Sequence, residues 1–368
     1  MRIGFIGPAP PFRGGISRFA VRLALELQSE GHQVRMFSFI RQYPALIFPG
    51  KSQTAQSSDG EGLEIENVLT PYDPRTWNRA LSAIRDWQPD MVIVSYFLPF
   101  FAPAYTYLCK RLSNTKRVVL AHNIEFHERW MGANLMTKKL LRHCEKIMVL
   151  SQACHSDLKR IMPKEIANQG VLGFHPVYDS YPETQIGRQG YPDRDKTLLF
   201  FGLIKPYKGL DVLIKAMQQV HKRLPDLRLT VAGEVYGKAE VYAKLIRSLG
   251  LEDVVQTHFR YIPEDEVASF FRSASLCVLP YKSATQSGII AMSYNFDLPV
   301  IVTDAGGLNE YVEEGETGLV VLANDPEALA AGIIRCYEEN LCERMSKAVC
   351  GHKHRYSWKS LATLVLEP

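Results

Sequence analysis

A chain of 368 residues, 46% apolar and 22% charged, has room for two domains of ordinary size and the composition of a globular protein, which excludes a disordered one. Its formal net charge of +4 is modest, and no nucleic-acid partner is expected. Seven cysteines, odd in number and in no metal-ligand spacing, are expected as reduced thiols of a cytoplasmic protein, with no bound metal.

The chain opens on the strand-like RIGFIG, so no charged-then-apolar leader is expected. The loop GPAPPFRGG follows, then a helix from Ser17 to about Glu30 with Phe19, Leu23 and Leu27 on one face. Gly14 and Gly15 stand just before that helix, where backbone N–H groups point outward and a phosphate can approach closely. The pair is not GxGxxG, and a plain turn has the same composition. His32–Phe39 reads as a second strand. A polar, Gly/Ser-rich loop from Arg41 to about Gly62 is long enough to serve as a lid. Pro74–Trp87 reads as a helix, and Met91–Tyr96 and Arg117–Asn123 as strands. The longest apolar run, 91–108, is interrupted by Pro99 and Pro103 and falls short of the roughly 20 residues that span a bilayer. His122 and Asn123 close the strand at 117–123, with His127 and Glu128 beyond. A histidine there can reach a cleft or sit hydrogen-bonded in the core. Lys146–Ser151 reads as a strand and Gln152–Ile161 as a helix.

From about Gly173 to Asp195 periodicity lapses into prolines, glycines and charges, the signature of a linker. Asp193-Arg194-Asp195 spells a D-x-D, a weak metal-site signal in such a context. Strand–helix alternation restarts at Leu198–Gly209, LLFFGLIKPYKG. Four apolar residues suit a buried parallel strand. The loop beyond carries Lys205 and Lys208, with Pro206 stiffening the span, and Gly209 opens an amphipathic helix. Loops at the carboxyl ends of parallel strands bind ligands in open α/β sheets. Two lysines there suit a multiply charged anion such as a diphosphate, although two solvated lysines would read the same. Strands follow at Arg228–Gly233, Val254–Phe259, Leu276–Pro280, Pro299–Thr303 and Leu319–Leu322, with helices between. Two βαβ series separated by a linker predict two doubly wound α/β domains facing a cleft. The expected organisation is residues 1–180, a linker at 181–196, residues 197–350, and a helical segment at 351–368 packing back on the first domain.

The early glycine pair, the G-x-x-K-x-x-K-G stretch at 202–209 and the segment LPVIVTDAGGLNEYVEEGETGLVV resemble retaining glycosyltransferase family 4. The resemblance covers nearly the whole chain, most strongly 198–322. It implies the GT-B fold, two Rossmann-like domains with the active site between them. It also implies a hexosyltransferase-type enzyme that moves a sugar from a nucleotide-diphosphate sugar to a glycan or lipid-linked acceptor, in glycan, polysaccharide or glycolipid assembly. No metal and no other cofactor are expected. Lys208 and Gly209 match the family's G-R-x-x-x-x-K-G pattern, but Leu203 stands at the arginine position and Lys205 is the substitute. Arginine forks onto two oxygens where lysine acts as a point charge. The family's paired glutamates would fall at Ala284 and Met292. The sequence instead reads SATQSGIIAMSYNFDLPV, with no carboxylate before Asp297. Ser287, Gly288 and Ile289 can still present N–H groups to the diphosphate, and Thr285, Gln286 and Asn123 can serve the sugar or ribose as neutral groups. His122 resembles the family histidine facing the donor sugar, so the implied catalytic set is His122, Lys205 and Lys208. The loop carrying Arg260, Tyr261 and Ile262 matches the base-side loop. The lost glutamates motivate one alternative, a catalytically weak nucleotide-sugar-binding relative; a second is a GT-B-fold enzyme of another class, such as a sugar-nucleotide epimerase.

Charge is unevenly placed. Residues 1–180 hold 22 Lys+Arg against 15 Asp+Glu, a surplus of 7, and the remainder 21 against 24. Lys138, Lys139 and Arg142 cluster on one expected helix beside Leu135, Met136 and Leu140. That pattern suits peripheral docking on an anionic membrane surface and equally a solvated helix facing the core.

Overall fold

The structure is a computed structural model and describes residues 1–12, 14–44, 54, 60–125, 132–177, 196–284 and 287–367. It divides into two compact units, Met1–His175 with Trp358–Pro368, and Pro176–Ser357.

The first unit holds a seven-stranded parallel sheet: β1 (Arg2–Ile6), β2 (Gln33–Phe39), β3 (Glu64–Leu69), β4 (Met91–Tyr96), β5 (Lys116–Ala121), β6 (Lys146–Val149) and β7 (Gly170–Leu172), in the order β3-β2-β1-β4-β5-β6-β7. The helices are α1 (Gly15–Ser29), α2 (Pro74–Trp87), α3 (Ala102–Arg111), α4 (Ala133–Leu141), α5 (Gln152–Ile161) and the short α6 (Lys164–Ala167). β1 and β4 are buried almost throughout, as parallel strands covered on both faces must be. The strands at β3 and β7 and the helix α3 were not evident from periodicity. β3 and β7 are the edges of the sheet; β3 is largely half-exposed and β7 only three residues long, so neither shows an apolar run. α2 starts where Asp73 accepts the Arg75 N–H, with Pro74 in the first turn, an N-terminal signal carried by the local sequence.

The last helix of the chain, α13 (Trp358–Leu366), belongs to this unit. Trp358 packs edge-on against Phe19 of α1 at 5.1 Å, and the Arg22 guanidinium lies 5.4 Å from the Trp358 ring. At the other end of the helix Lys116 donates to the Glu367 carbonyl at 2.9 Å and Lys146 donates to the carbonyls of Leu364 and Glu367. Two ammonium groups on the final carbonyls satisfy orphan acceptors and suit the negative end of the helix dipole.

The second unit holds a six-stranded parallel sheet: β8 (Thr197–Phe201), β9 (Arg228–Ala232), β10 (Val255–His258), β11 (Leu276–Leu279), β12 (Val300–Thr303) and β13 (Gly318–Val321), in the order β10-β9-β8-β11-β12-β13. Its helices are α7 (Leu210–Arg223), α8 (Ala239–Ser248), α9 (Glu264–Arg272), α10 (Gly288–Asn295), α11 (Pro326–Glu338) and α12 (Leu341–His352). Leu210, Leu213, Ile214 and Met217 of α7 are buried and share one core with Leu198 and Phe200 of β8 and Ile333 of α11. Each such side chain removed from water contributes about 1.5–3 kcal/mol. Strand order reverses between β8 and β11, so the loops that follow these two strands diverge and leave a crevice at the sheet's carboxyl edge. In the first unit the same reversal falls between β1 and β4.

Both units are doubly wound and Rossmann-like, which is the GT-B architecture expected from the sequence. The linker residues 181–195, including Asp193 and Asp195, lie outside the described residues, as do His127, Glu128, Thr285 and Gln286.

Candidate functional site

The two loops flanking the switch point of the second sheet are fastened to one another. After β8 the chain makes a one-turn 3-10 helix, Pro206–Lys208, before α7. After β11 it runs through Tyr281 and Lys282 toward α10. The Lys282 N–H donates to the Tyr207 carbonyl at 2.7 Å, and the Lys282 ammonium pairs with Asp211 at 2.8 Å. The Tyr207 and Tyr281 rings meet edge-on at 6.3 Å. On the other side the Ile204 N–H donates to the Glu234 carbonyl and the Tyr236 N–H to the Ile204 carbonyl, both at 2.9 Å. The lysine-bearing turn is thus held from two directions.

Each lysine in that turn lies over an aromatic ring. Lys205 Nζ is 5.4 Å from the Tyr236 ring and Lys208 Nζ 4.9 Å from the Tyr281 ring. Both lysines are half-buried. Full exposure is the natural expectation for a loop lysine, and Lys208 departs from it because Tyr281 and the backbone of Gly202 close around its ammonium. A Cβ at Gly202 would lie 3.6 Å from Lys208 Nζ and 3.1 Å from Ile289 Cδ1. Desolvation lowers the Lys208 pKa from its ordinary 10.5, and the nearby Lys205 charge adds to the effect. Among the described residues no carboxylate pairs with Lys208.

α10 starts beside this lysine. Ser287 caps it, its Oγ accepting the Ile289 N–H at 3.3 Å. The N–H groups of Ser287 and Gly288 donate to no described residue and are open to an acceptor, whereas that of Ile289 is already engaged. A half-buried, unneutralised ammonium next to a helix N-terminus is suited to an anion. Met292 lies on the inner side of α10 and is 9% exposed, a packing position. Ala284, where the first glutamate of the family pattern would fall, is buried as well.

In the loop after β10, the Arg260 side chain is engaged by Glu266, with Arg260 Nη1 to Glu266 Oε1 at 3.0 Å and a second, shorter contact beside it. Ile262 is buried and Tyr261 half-buried. Arg260 is therefore committed to a surface ion pair with Glu266.

The remaining candidates lie in the first unit. Gly14 caps α1 without a side-chain bond, and a Cβ at Gly14 or Gly15 would meet nothing within 4 Å. The open N-terminus of a 15-residue helix thus stands at the carboxyl end of β1. His122 follows β5 and is 3% exposed. Its Nε2 is 3.3 Å from Ser95 Oγ, its carbonyl accepts from the Cys154 thiol, and its ring packs edge-on against Phe19 at 5.1 Å. Burial, with His175 nearby, pushes its pKa down to about 3, so the imidazole is neutral. Of the two positions open to this histidine, the structure has the hydrogen-bonded core one. Asn123 is half-buried beside it.

Residues 13–167 match a family model described as Glycosyltransferase Family 4, and residues 195–339 match one described as Glycosyl transferases group 1. The chain belongs to glycosyltransferase family 4. Over 174 residues, 46% of the chain, this family 4 protein is 32% identical to the D-inositol 3-phosphate glycosyltransferase of Paenarthrobacter aurescens, and that stretch covers 42% of the relative. Over 242 residues, 62% of the chain, it is 28% identical to the enzyme of the same name from Corynebacterium aurimucosum, covering 52% of it. The chain thus spans about half the length of the curated relatives it matches, or less. Among solved structures, Anabaena HepE in complex with UDP and glucose superposes with a TM-score of 0.76 at 15% identity, over 99% of this chain and 97% of that one. Sucrose-phosphate synthase from Thermosynechococcus elongatus superposes with a TM-score of 0.74 at 19% identity, over 98% and 96%.

Tyr281 and Tyr236 were not singled out from the sequence. Tyr281 did carry a signal, since it is the second residue after β11, at the carboxyl edge where open sheets bind ligands.

Proposed function

We propose that the chain is a glycosyltransferase moving a sugar from a nucleotide-diphosphate sugar to a glycan or lipid-linked acceptor, with retention and without a metal. The observation that carries this reading is the Lys208 ammonium, half-buried, unpaired with any described carboxylate and set beside the open N–H groups of Ser287 and Gly288. Glycosyl transfer from such a donor expels a nucleoside diphosphate, so negative charge builds on the bridging oxygen as the sugar departs. Preorganised cations and N–H dipoles act on that developing charge and cost no reorganisation during the reaction. Lys205 and Lys208 would hold the diphosphate, Ser287 and Gly288 would bind its oxygens, and the loop 260–262 would meet the base through its backbone. The family's expected course is attack on the face from which the diphosphate leaves, the leaving phosphate helping to take the acceptor's proton. That course needs no side-chain nucleophile, and it agrees with a His122 that is buried and neutral. The relatives named D-inositol 3-phosphate glycosyltransferase support glycosyl transfer, and the solved complex of HepE with UDP and glucose supports a nucleotide-sugar donor.

The reading puts the acceptor with the amino-terminal unit, which carries the basic surplus. Lys138 and Lys139 follow Leu135 by three and four residues on α4, and Leu135 is 71% exposed. Cations around an exposed apolar side chain suit peripheral contact with an anionic membrane. No helix among the described residues is long and apolar enough to cross one.

The test is calorimetric titration with UDP, GDP and ADP, followed by radiolabelled transfer from the matching sugar donors with and without EDTA. Micromolar binding of one diphosphate, with EDTA-resistant transfer or slow donor hydrolysis, is the expected result. Binding without turnover would favour the catalytically weak relative, and donor interconversion without an acceptor an epimerase.

A further inference from the structure

The diphosphate site contains a side chain that touches both of its halves. Tyr281 is 2% exposed. Its ring lies 4.9 Å from Lys208 Nζ, and its hydroxyl is 3.3 Å from Ser287 Oγ. Ser287 Oγ in turn accepts the Ile289 N–H and so sets the first turn of α10. The tyrosine is itself fixed: its carbonyl accepts from Thr303 Oγ1 at 2.6 Å, and the next residue's N–H is bonded to the Tyr207 carbonyl. One rigid aromatic group thus connects the cation on one loop to the helix N-terminus on the other.

We propose that Tyr281 is the positioning residue of the donor site, its ring presetting the Lys208 ammonium and its hydroxyl presetting Ser287 at the start of α10. The proposal rests on the donor-site reading above and deepens it. A lysine side chain loses rotamer entropy when it is immobilised, and a group ordered before the ligand arrives does not lose it during binding. A carboxylate could order Lys208 equally well, but it would neutralise the charge and compete with the diphosphate. An aromatic face attracts the ammonium through its quadrupole and leaves the full charge available. Gly202 lies near the ammonium as well, where a Cβ would stand 3.6 Å from Nζ. The hydroxyl does for the helix what the ring does for the lysine. It occupies Ser287 Oγ, so the serine stays on its capping bond while its own N–H and that of Gly288 face outward.

The experiment is a double-mutant cycle read by calorimetry with whichever of UDP, GDP and ADP the wild-type protein binds. Tyr281→Leu should weaken binding about 10-fold, the loss of one desolvated cation–π contact. In a Lys208→Ala background the same change should have less than about a 2-fold effect, because coupled residues are not additive. Tyr281→Phe keeps the ring, so it should retain most of the affinity, and its residual loss should vanish in Ser287→Ala. Equal losses from Tyr281→Leu in both backgrounds would show a merely structural tyrosine and overturn the proposal. Unchanged binding in Tyr281→Leu would do the same. Should Tyr281→Leu fail to fold, the Tyr281→Phe and Ser287→Ala cycle decides alone, and additive effects there overturn the proposal. A wild-type protein that binds none of the three diphosphates overturns the donor-site reading itself, and the role of Tyr281 with it.

Discussion

Gly209 and Pro280 are in direct backbone contact: a Cβ on Gly209 would lie 1.9 Å from the Pro280 carbonyl oxygen, and Gly209 sits at φ 68°. The turn that carries the two lysines is therefore pressed onto the end of β11, and only a residue without a side chain can make the join. Gly209→Ala should cost about 3 kcal/mol, the left-handed backbone adding to a clash that neither side can relieve. Gly250 has nearly the same φ, 65°, but open space around it. Gly250→Ala should cost about 1 kcal/mol. Urea unfolding of both variants checks the difference, and equal losses would mean that the contact with Pro280 carries no weight.

Lys208→Ala should lower kcat/KM roughly 100-fold with the fold intact, as expected for removal of one charge-stabilising group, and Lys205→Ala should act in the same direction more weakly. The pH dependence follows from the lowered pKa of Lys208. A bound diphosphate favours the charged lysine, so its pKa rises on binding. The lysine's contribution to affinity is then complete below its free-state pKa and declines as pH rises through it, at values below an ordinary lysine's 10.5. Diphosphate titrations from neutral pH upward should show this decline in the wild type and a flatter profile in Lys208→Ala. Identical profiles would remove Lys208 from the site.

Met292 stands where the second glutamate of the family pattern would fall, and it is 9% exposed on the packed side of α10. Met292→Glu should destabilise the protein by about 3 kcal/mol, because an unpaired carboxylate would replace an apolar side chain in the core. Higher transfer activity at unchanged stability would mean that the helix is oriented toward the sugar and that this account of the lost glutamates is wrong.

His122 makes stability depend on pH. Its folded pKa of about 3 lies below the ordinary 6.5, so between these values the unfolded chain binds the extra proton. Stability from this group is complete above pH 6.5 and is lost as pH falls toward 3. At pH 5 the loss is about 2 kcal/mol relative to neutral pH. Urea denaturation across pH 4.5–7.5 should show that slope, and His122→Gln should reduce it. An unaltered slope in the variant would show that other groups carry the acid sensitivity.

Membrane contact through the basic face separates cleanly in a sedimentation assay. Binding to phosphatidylglycerol vesicles should fall with added salt and with Lys138, Lys139 and Arg142 changed together to glutamine, each cation near the surface contributing about 1 kcal/mol. Equal partitioning to neutral and anionic vesicles would leave the amino-terminal charge without a membrane role.

The sequence by itself determined the two doubly wound sheets, because parallel strands buried on both faces must be continuous apolar runs, and β1, β4, β8 and β12 are. It determined helix starts wherever the signal is local, as at Asp73-Pro74 and Asp325-Pro326. It also located the lysine loop, since the carboxyl end of a central strand is set by chain order. The edge strands β3 and β7 stayed hidden because an edge has less surface to bury and so no apolar run to show. Only the tertiary structure decided the environment of each candidate. His122 is buried because Phe19, arriving from α1, covers it. Lys208 is held over Tyr281, a residue 73 positions away brought adjacent by the β8–β11 pairing. Periodicity along the chain reports which faces are covered. What covers them, and hence which charges stay unpaired, depends on contacts between residues far apart in sequence, and those exist only once the sheet has closed.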